Sequence, residues 1–248
     1  MNSAIEHQLH HRTIRAFTAQ EIPATTIDTL IDVARHTATS EFLQAFSVIS
    51  VTDPQLKKAI AAISKQTYVG DNGHLFIFVA DQHRNAQIGH EMGQDENKVG
   101  GTNKFLAAAS DTILAVQNTV VAAESMGLGT VVLGSILNDA GQLIDLLHLP
   151  PLTFPILGLA IGYPDQEPQY KPRLPKKFMH FENSYQLSTS LIPQLKAYDA
   201  EVHEYYDLRE ANRRVDTFTN QVNRSLLNVP EKRHELLQLL HQQGFLLE

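Results

Sequence analysis

Two short basic segments about 160 residues apart carry the most pointed chemistry in this chain. The first is His11-Arg12-Thr13-Ile14-Arg15-Ala16-Phe17, and the second is Lys171-Pro172-Arg173-Leu174-Pro175. A bound phosphate needs several directed donors on a stiff frame; Arg supplies a planar fork, Lys a compact point charge, and Thr a hydroxyl. Two prolines stiffen the second segment by fixing φ. Together they suit the two halves of an anion clamp, although basic residues taken singly are more often solvated surface.

Such a clamp needs a folded frame, and the composition supplies one. The 248 residues are 43% apolar and 19% charged, enough for one large core and unlike a disordered chain. The formal charge of −7 and the dispersed Lys and Arg show no nucleic-acid footprint. There is no cysteine, so disulfides, thiolate metal sites and a Cys nucleophile are excluded. A polar N-terminus without an apolar h-region, and no apolar run near 20 residues, favour a cytoplasmic protein without membrane contact.

Helical spacing follows Pro23 (Ile27, Leu30, Ile31, Ala34) and Pro54 (Leu56, Ile60, Ile63). Short β-branched or aromatic runs at 46–51, 75–80, 130–135 and 155–161 predict strands. The Ala-rich stretch 104–126 predicts a central helix stopped at Gly127, and Asp139 is placed to cap a helix reaching Leu147. Four prolines between 164 and 175 forbid regular structure there. The order of elements predicts an α+β fold over a doubly wound sheet. The domain reading is a core at 1–162, a Pro-rich arm at 163–190, and a C-terminal helical extension at 191–248 that packs on the core or a partner.

Familiar catalytic motifs fail. Gly127-Leu128-Gly129 lacks the third Gly of a dinucleotide fingerprint and precedes a strand. His90-Glu91, His203-Glu204 and His234-Glu235 each lack the second His of a zinc motif. No metal site is expected.

The clamp segments, with Ser40-Glu41-Phe42-Leu43-Gln44, Ala123-Glu124-Ser125-Met126-Gly127-Leu128-Gly129, His180-Phe181-Glu182-Asn183-Ser184-Tyr185 and Asn212-Arg213-Arg214, closely resemble the nitroreductase superfamily. Within it they are similar to the NADPH-dependent, FMN-containing branch of oxygen-insensitive nitroreductases and flavin reductases. The resemblance is collinear over essentially the whole chain. It implies a three-layer sandwich with a central, mostly antiparallel sheet flanked by helices, a C-terminal helical extension, and a homodimer with FMN at the subunit interface.

It also implies roles. His11, Thr13, Lys171 and Arg173 match the positions that hold the FMN phosphate. Arg12 matches support of the ribityl side or the ring, and Arg15 a cation near flavin N1 and O2. Gln66 matches a polar contact to the pyrimidine edge, and Gly134, flanked by Leu133 and Ser135, a backbone amide near N5. Thr39, Ser40, Phe42 and Gln44 match a segment that packs at the dimer interface around the flavin, where Phe42 offers a wall for planar acceptors; Phe42 fits a core aromatic as well. Arg209, Arg213 and Arg214 match arginines that grip the NADPH 2′-phosphate, and they also fit a solvated charged face. The sequence departs from the family at Ala38 and Glu41, which interrupt a Ser-rich run, and at Ser135, where a second Gly is common.

The implied chemistry is ping-pong hydride transfer from NADPH, then two-electron reduction of nitroaromatics, quinones, azo compounds or free flavin. A cofactor that performs the hard step also accounts for the missing nucleophile and base motifs. The rival reading is a non-catalytic FMN-binding redox sensor or flavin carrier.

Overall fold

The computed structural model describes residues 2–71, 73–94, 96–207 and 216–246. In chain order the elements are α1 (Ser3–Leu9), α2 (Ala24–Arg35), β1 (Phe46–Val51), α3 (Pro54–Ser64), α4 (Tyr68–Asp71), β2 (His74–Asp81), α5 (His83–Glu91), α6 (Thr102–Ser125), β3 (Gly129–Leu133), α7 (Ala140–Leu146), β4 (Thr153–Gly162), α8 (Ile192–Asp207), α9 (Phe218–Leu227) and α10 (Leu236–Gln242). Short 3-10 turns occur at Ser40–Phe42, Gly134–Asp139, Lys176–Phe178 and Glu231–Glu235, among others.

Local signals set the boundaries. Asp53 accepts the Gln55 N–H at 2.9 Å and Pro54 takes the first helical position, so α3 starts there. Asp139 accepts the Gln142 N–H at 3.1 Å and starts α7. Gly127, with φ of 79°, lies just past the end of α6. The strand expected over 130–135 gives way at Gly134 to a 3-10 turn.

The chain divides into two compact units, Met1–Glu167 with Pro230–Glu248, and Pro168–Val229. The first holds a four-stranded sheet of order β1-β2-β4-β3, antiparallel throughout. Its register shifts between Phe78 and Val79, where Val79 faces Pro155; a proline without an N–H is tolerated in a strand at such an irregularity. Phe76 and Phe78 of β2 point to one face, against Leu30, Val116 and Val120 of α2 and α6. Leu75, Ile77 and Val79 point to the other, against Ile60, Ile63, Ile136 and Leu143. Helices thus cover both faces, which makes three layers and explains why β2 reads as a continuous apolar run. By length and composition α6 alone among the described helices is apolar enough to cross a membrane, but its buried face packs on this sheet.

The end of the chain belongs with this first unit. Phe245 is fully buried against Ala140 and Phe154, with Leu236, Leu239 and Leu240 beside it, and the Leu246 N–H bonds the Gly100 carbonyl at 2.9 Å. The second unit joins the Pro-rich arm to α8 and α9. Leu195, Tyr198 and Val202 form its small core with Leu174, Phe178 and Phe218. The Tyr198 hydroxyl donates to Pro172 O at 3.3 Å, and Asp199 accepts the Thr219 N–H and hydroxyl at 3.0 and 2.7 Å.

Candidate functional site

The segment 11–17 runs beside the edge strand β3, with Thr13 bridged in parallel to Thr130, because two glycines let it approach. A Cβ at Gly129 would meet Ile14 side-chain atoms at 2.6–2.8 Å, and one at Gly162 would meet the Phe17 ring at 2.8 Å. Ile14 and Phe17 are buried in the core, and the Ile14 N–H donates to Thr130 O at 2.9 Å. With these two residues anchored, His11, Thr13 and Arg15 are displayed from one fixed strip.

Glu124 organises the front of that strip. Its Oε1 accepts from His11 Nδ1 at 2.7 Å and from the Thr130 hydroxyl at 2.6 Å. A ring that gives its Nδ1 proton to Glu124 can also donate to an anion from Nε2 only when it carries a second proton, because Nε2 of the neutral ring accepts. Arg12 turns elsewhere: its Nη1 donates to the exposed Glu167 at 2.9 Å. Arg15 is exposed and hydrogen bonds Tyr68, the first residue of α4. Burial pushes the Tyr68 phenol above its ordinary pKa, and the Arg15 charge pulls the other way. Gln66 is half-buried two residues earlier, just after left-handed Lys65 (φ 53°).

Gly134 begins a turn with an open backbone face: a Cβ added there meets nothing within 4 Å. A planar ring can approach such a backbone closely. The turn is held from behind by Arg233, which donates to Gly134 O at 2.7 Å and to Asn138 Oδ1 at 3.1 Å, while Lys232 pairs with Asp139. Leu133 points into the core and Ser135 is half-buried.

Thr39, Ser40, Phe42 and Gln44 lie on a loop between α2 and β1. Phe42 is 83% exposed, so it is not a core aromatic in this chain. The loop is clamped by buried Asp111, whose two oxygens accept the Ser40 and Ala45 N–H groups at 2.7 and 3.1 Å. In the second unit Lys171 and Arg173 are exposed, and Arg173 Nη1 donates to Lys171 O at 2.8 Å. Arg209, Arg213 and Arg214 lie outside the described residues.

Sequence reasoning assigned no role to Glu124, Asp111 or Arg233. The only signal for the first two was a carboxylate on an otherwise apolar helix. No group of three or more His, Asp or Glu side chains among the described residues could hold a metal ion.

The helix-covered antiparallel sheet that carries this segment along its edge is a fold shared with solved nitroreductases. The chain belongs to that family: the nitroreductase family profile matches residues 9–163, and the profile of the family's C-terminal domain matches 171–248. It is 38% identical over 225 residues to the FMN reductase (NADPH) of Bacillus subtilis (strain 168), spanning 90% of each chain. It is 35% identical over 241 residues to an NADPH-dependent oxidoreductase of Staphylococcus saprophyticus, spanning 96% of this chain and 95% of that one. Among solved structures, a B. subtilis nitroreductase matches with a TM-score of 0.93 at 35% identity, covering 99% of this chain and 100% of the other. The NADPH:FMN oxidoreductase of Vibrio harveyi, complexed with NAD+, matches with a TM-score of 0.87 at 33% identity over the whole of both chains.

Proposed function

We propose that this protein is an FMN-dependent oxidoreductase that takes electrons from NADPH and delivers them to nitroaromatics, quinones, azo compounds or free flavin. The observation that carries the reading is the fixed strip from His11 to Arg15, whose donors suit a phosphate and a flavin ring. The open backbone at Gly134 suits the same ring. The names of the relatives support both FMN and NADPH.

FMN, when bound, would supply hydride-accepting and two-electron-donating chemistry. The chain's own residues bind and orient. In the first unit the Thr13 hydroxyl and, when its ring carries both protons, His11 Nε2 would donate to the phosphate; Lys171 and Arg173 are the further charge-assisted donors that the family resemblance implies for it. Arg12 contributes to the ribityl side through its backbone while its fork holds Glu167. Arg15, steadied by Tyr68, presents a cation to the ring edge where negative charge grows, and Gln66 donates beside it. Gly134, flanked by Leu133 and Ser135, offers a backbone amide, and Thr39, Ser40 and Gln44 border the ring. Phe42 forms the wall on which planar acceptors stack. Arg209, Arg213 and Arg214 read the NADPH 2′-phosphate.

The working form is a cytoplasmic homodimer with FMN at its interface. The exposed Leu106, Ile113 and Leu114 on α6 support association. Initial rates with NADPH and a quinone varied together test the reaction order: parallel double-reciprocal lines fit one slot used in turn. Intersecting lines would mean that donor and acceptor are bound at once, and would overturn the ping-pong scheme.

A further inference from the structure

Asp111 sits in the middle of α6 and is 1% exposed. A carboxylate so placed is costly to bury unless it is well bonded. The described residues give it no cationic partner; its oxygens accept two backbone N–H groups, from Ser40 at 2.7 Å and Ala45 at 3.1 Å. One side chain therefore closes both ends of a six-residue loop.

What lies between those ends is unusual. Glu41, Phe42 and Gln44 have φ of 54°, 59° and 49°, left-handed conformations that non-glycine residues rarely adopt. Three within four positions persist only where the surroundings over-determine them. Three other tethers meet the loop: Lys104 pairs with Glu41, Arg84 donates to Gln44 O, and Asn85 donates to Leu43 O at 3.4 Å. All three come from side chains at least partly open to water, so Asp111 is the buried anchor. The outcome of the strain is that Phe42 stands 83% exposed at the tip.

We propose that Asp111 is a positioning residue for the acceptor step: it holds the 40–45 loop in its left-handed form and so aims Phe42 at the incoming planar acceptor. This rests on the FMN oxidoreductase reading above. A purely structural role, tying β1 to α6, would lower stability without separating the two half-reactions.

The test compares wild-type holoenzyme with D111N. Asn keeps the side chain's size and one acceptor oxygen, but sets an NH2 against one of the two backbone donors. Hydrogen exchange is measured over residues 40–45. The KM for menadione is measured beside the rate of flavin reduction by NADPH in a stopped-flow mixer. The expected result is exchange faster by about tenfold over 40–45 and a menadione KM higher by about tenfold, the size of effect that removing one charge-assisted hydrogen bond has on a single step, with a clearly smaller change in the reduction rate at saturating NADPH, whose binding also rests on contacts outside the loop. Unchanged exchange over 40–45 would overturn the proposal, as would faster exchange with an unchanged KM. Equal losses in both half-reactions alongside a lower Tm would also overturn it, leaving Asp111 a stabilising residue only. If D111N does not fold, Glu41→Gly and Glu41→Gly/D111N are compared instead, since glycine adopts the positive φ at position 41 without strain. Failure of the underlying reading shows separately, as wild-type protein without flavin absorbance or without reduction by NADPH.

Discussion

Gly129→Ala tests how the basic strip is held. The new Cβ would lie 2.6 Å from Ile14 Cγ1, 2.7 Å from its Cβ and 2.8 Å from its Cγ2. Carbon atoms rest at about 3.5–4.0 Å, so the Ile14 side chain must retreat by roughly 1 Å. It has nowhere cheap to go, being 7% exposed within the core with its N–H bonded to Thr130 O. Overpacking of this kind costs about 1–3 kcal/mol, which for a chain of this size lowers Tm by several degrees, about 2–4 °C per kcal/mol. The same retreat drags His11, Thr13 and Arg15 off their positions. Loss of one charge-assisted phosphate bond, about 1.5–3 kcal/mol, raises the FMN Kd by about 10- to 150-fold. The assay is quenching of FMN fluorescence on titration with apoprotein, read beside a thermal melt. Gly127→Ala is the control: its φ of 79° strains an alanine, yet the new Cβ meets nothing within 4 Å. It should lower Tm and leave FMN affinity alone. A Gly129→Ala protein that binds FMN as tightly as wild type would refute the reasoning.

Arg173→Ala should raise the FMN Kd by about tenfold or more, because one charge-assisted phosphate bond is removed; equilibrium dialysis reads it, and an unchanged Kd removes Arg173 from the phosphate site. Arg209→Ala with Arg213→Ala should raise the KM for NADPH more than that for NADH, because only NADPH carries the 2′-phosphate; an equal effect on both would mean these side chains do not read it. His74 sets part of the acid limb of stability. Burial, assisted by the Lys57 charge, lowers its pKa from 6.5 to about 4, and no described residue bonds its buried Nε2. The unfolded chain therefore binds the extra proton first, so stability falls as pH drops from 6.5 toward 4, and His74 contributes no pH dependence above that window. The loss is on the order of 2 kcal/mol, given that the ring is partly open to water. In urea melts His74→Leu should flatten this limb relative to wild type; parallel limbs would exclude the assignment.

Much of the frame was legible because its signals are local. Asp53-Pro54, Asp139 and Gly127 mark helix ends by capping chemistry that involves neighbours within a few residues. The strip from His11 to Arg15 was legible because its donors are adjacent in sequence. Its supports were not, because their partners are distant. Glu124 lies 113 residues from His11, Asp111 lies 71 from Ser40, and Arg233 lies 99 from Gly134. Each reads in sequence as an ordinary polar helix or tail residue. Arg12 shows the converse, since a basic residue in the motif turned out to hold Glu167. Phe42 was ambiguous between core and wall, and its exposure comes from a loop geometry that no propensity favours. The return of Phe245 to the core was hidden for a related reason: a polar tail carried one fully buried aromatic.

The central claim is that this chain holds a flavin that NADPH reduces and a small acceptor reoxidises. Anaerobic mixing of the purified protein with NADPH tests it most directly. The expected result is a yellow protein whose visible flavin band bleaches on mixing and returns when a quinone is added. A band that persists in excess NADPH, or a purified protein with no flavin absorbance, would contradict the claim.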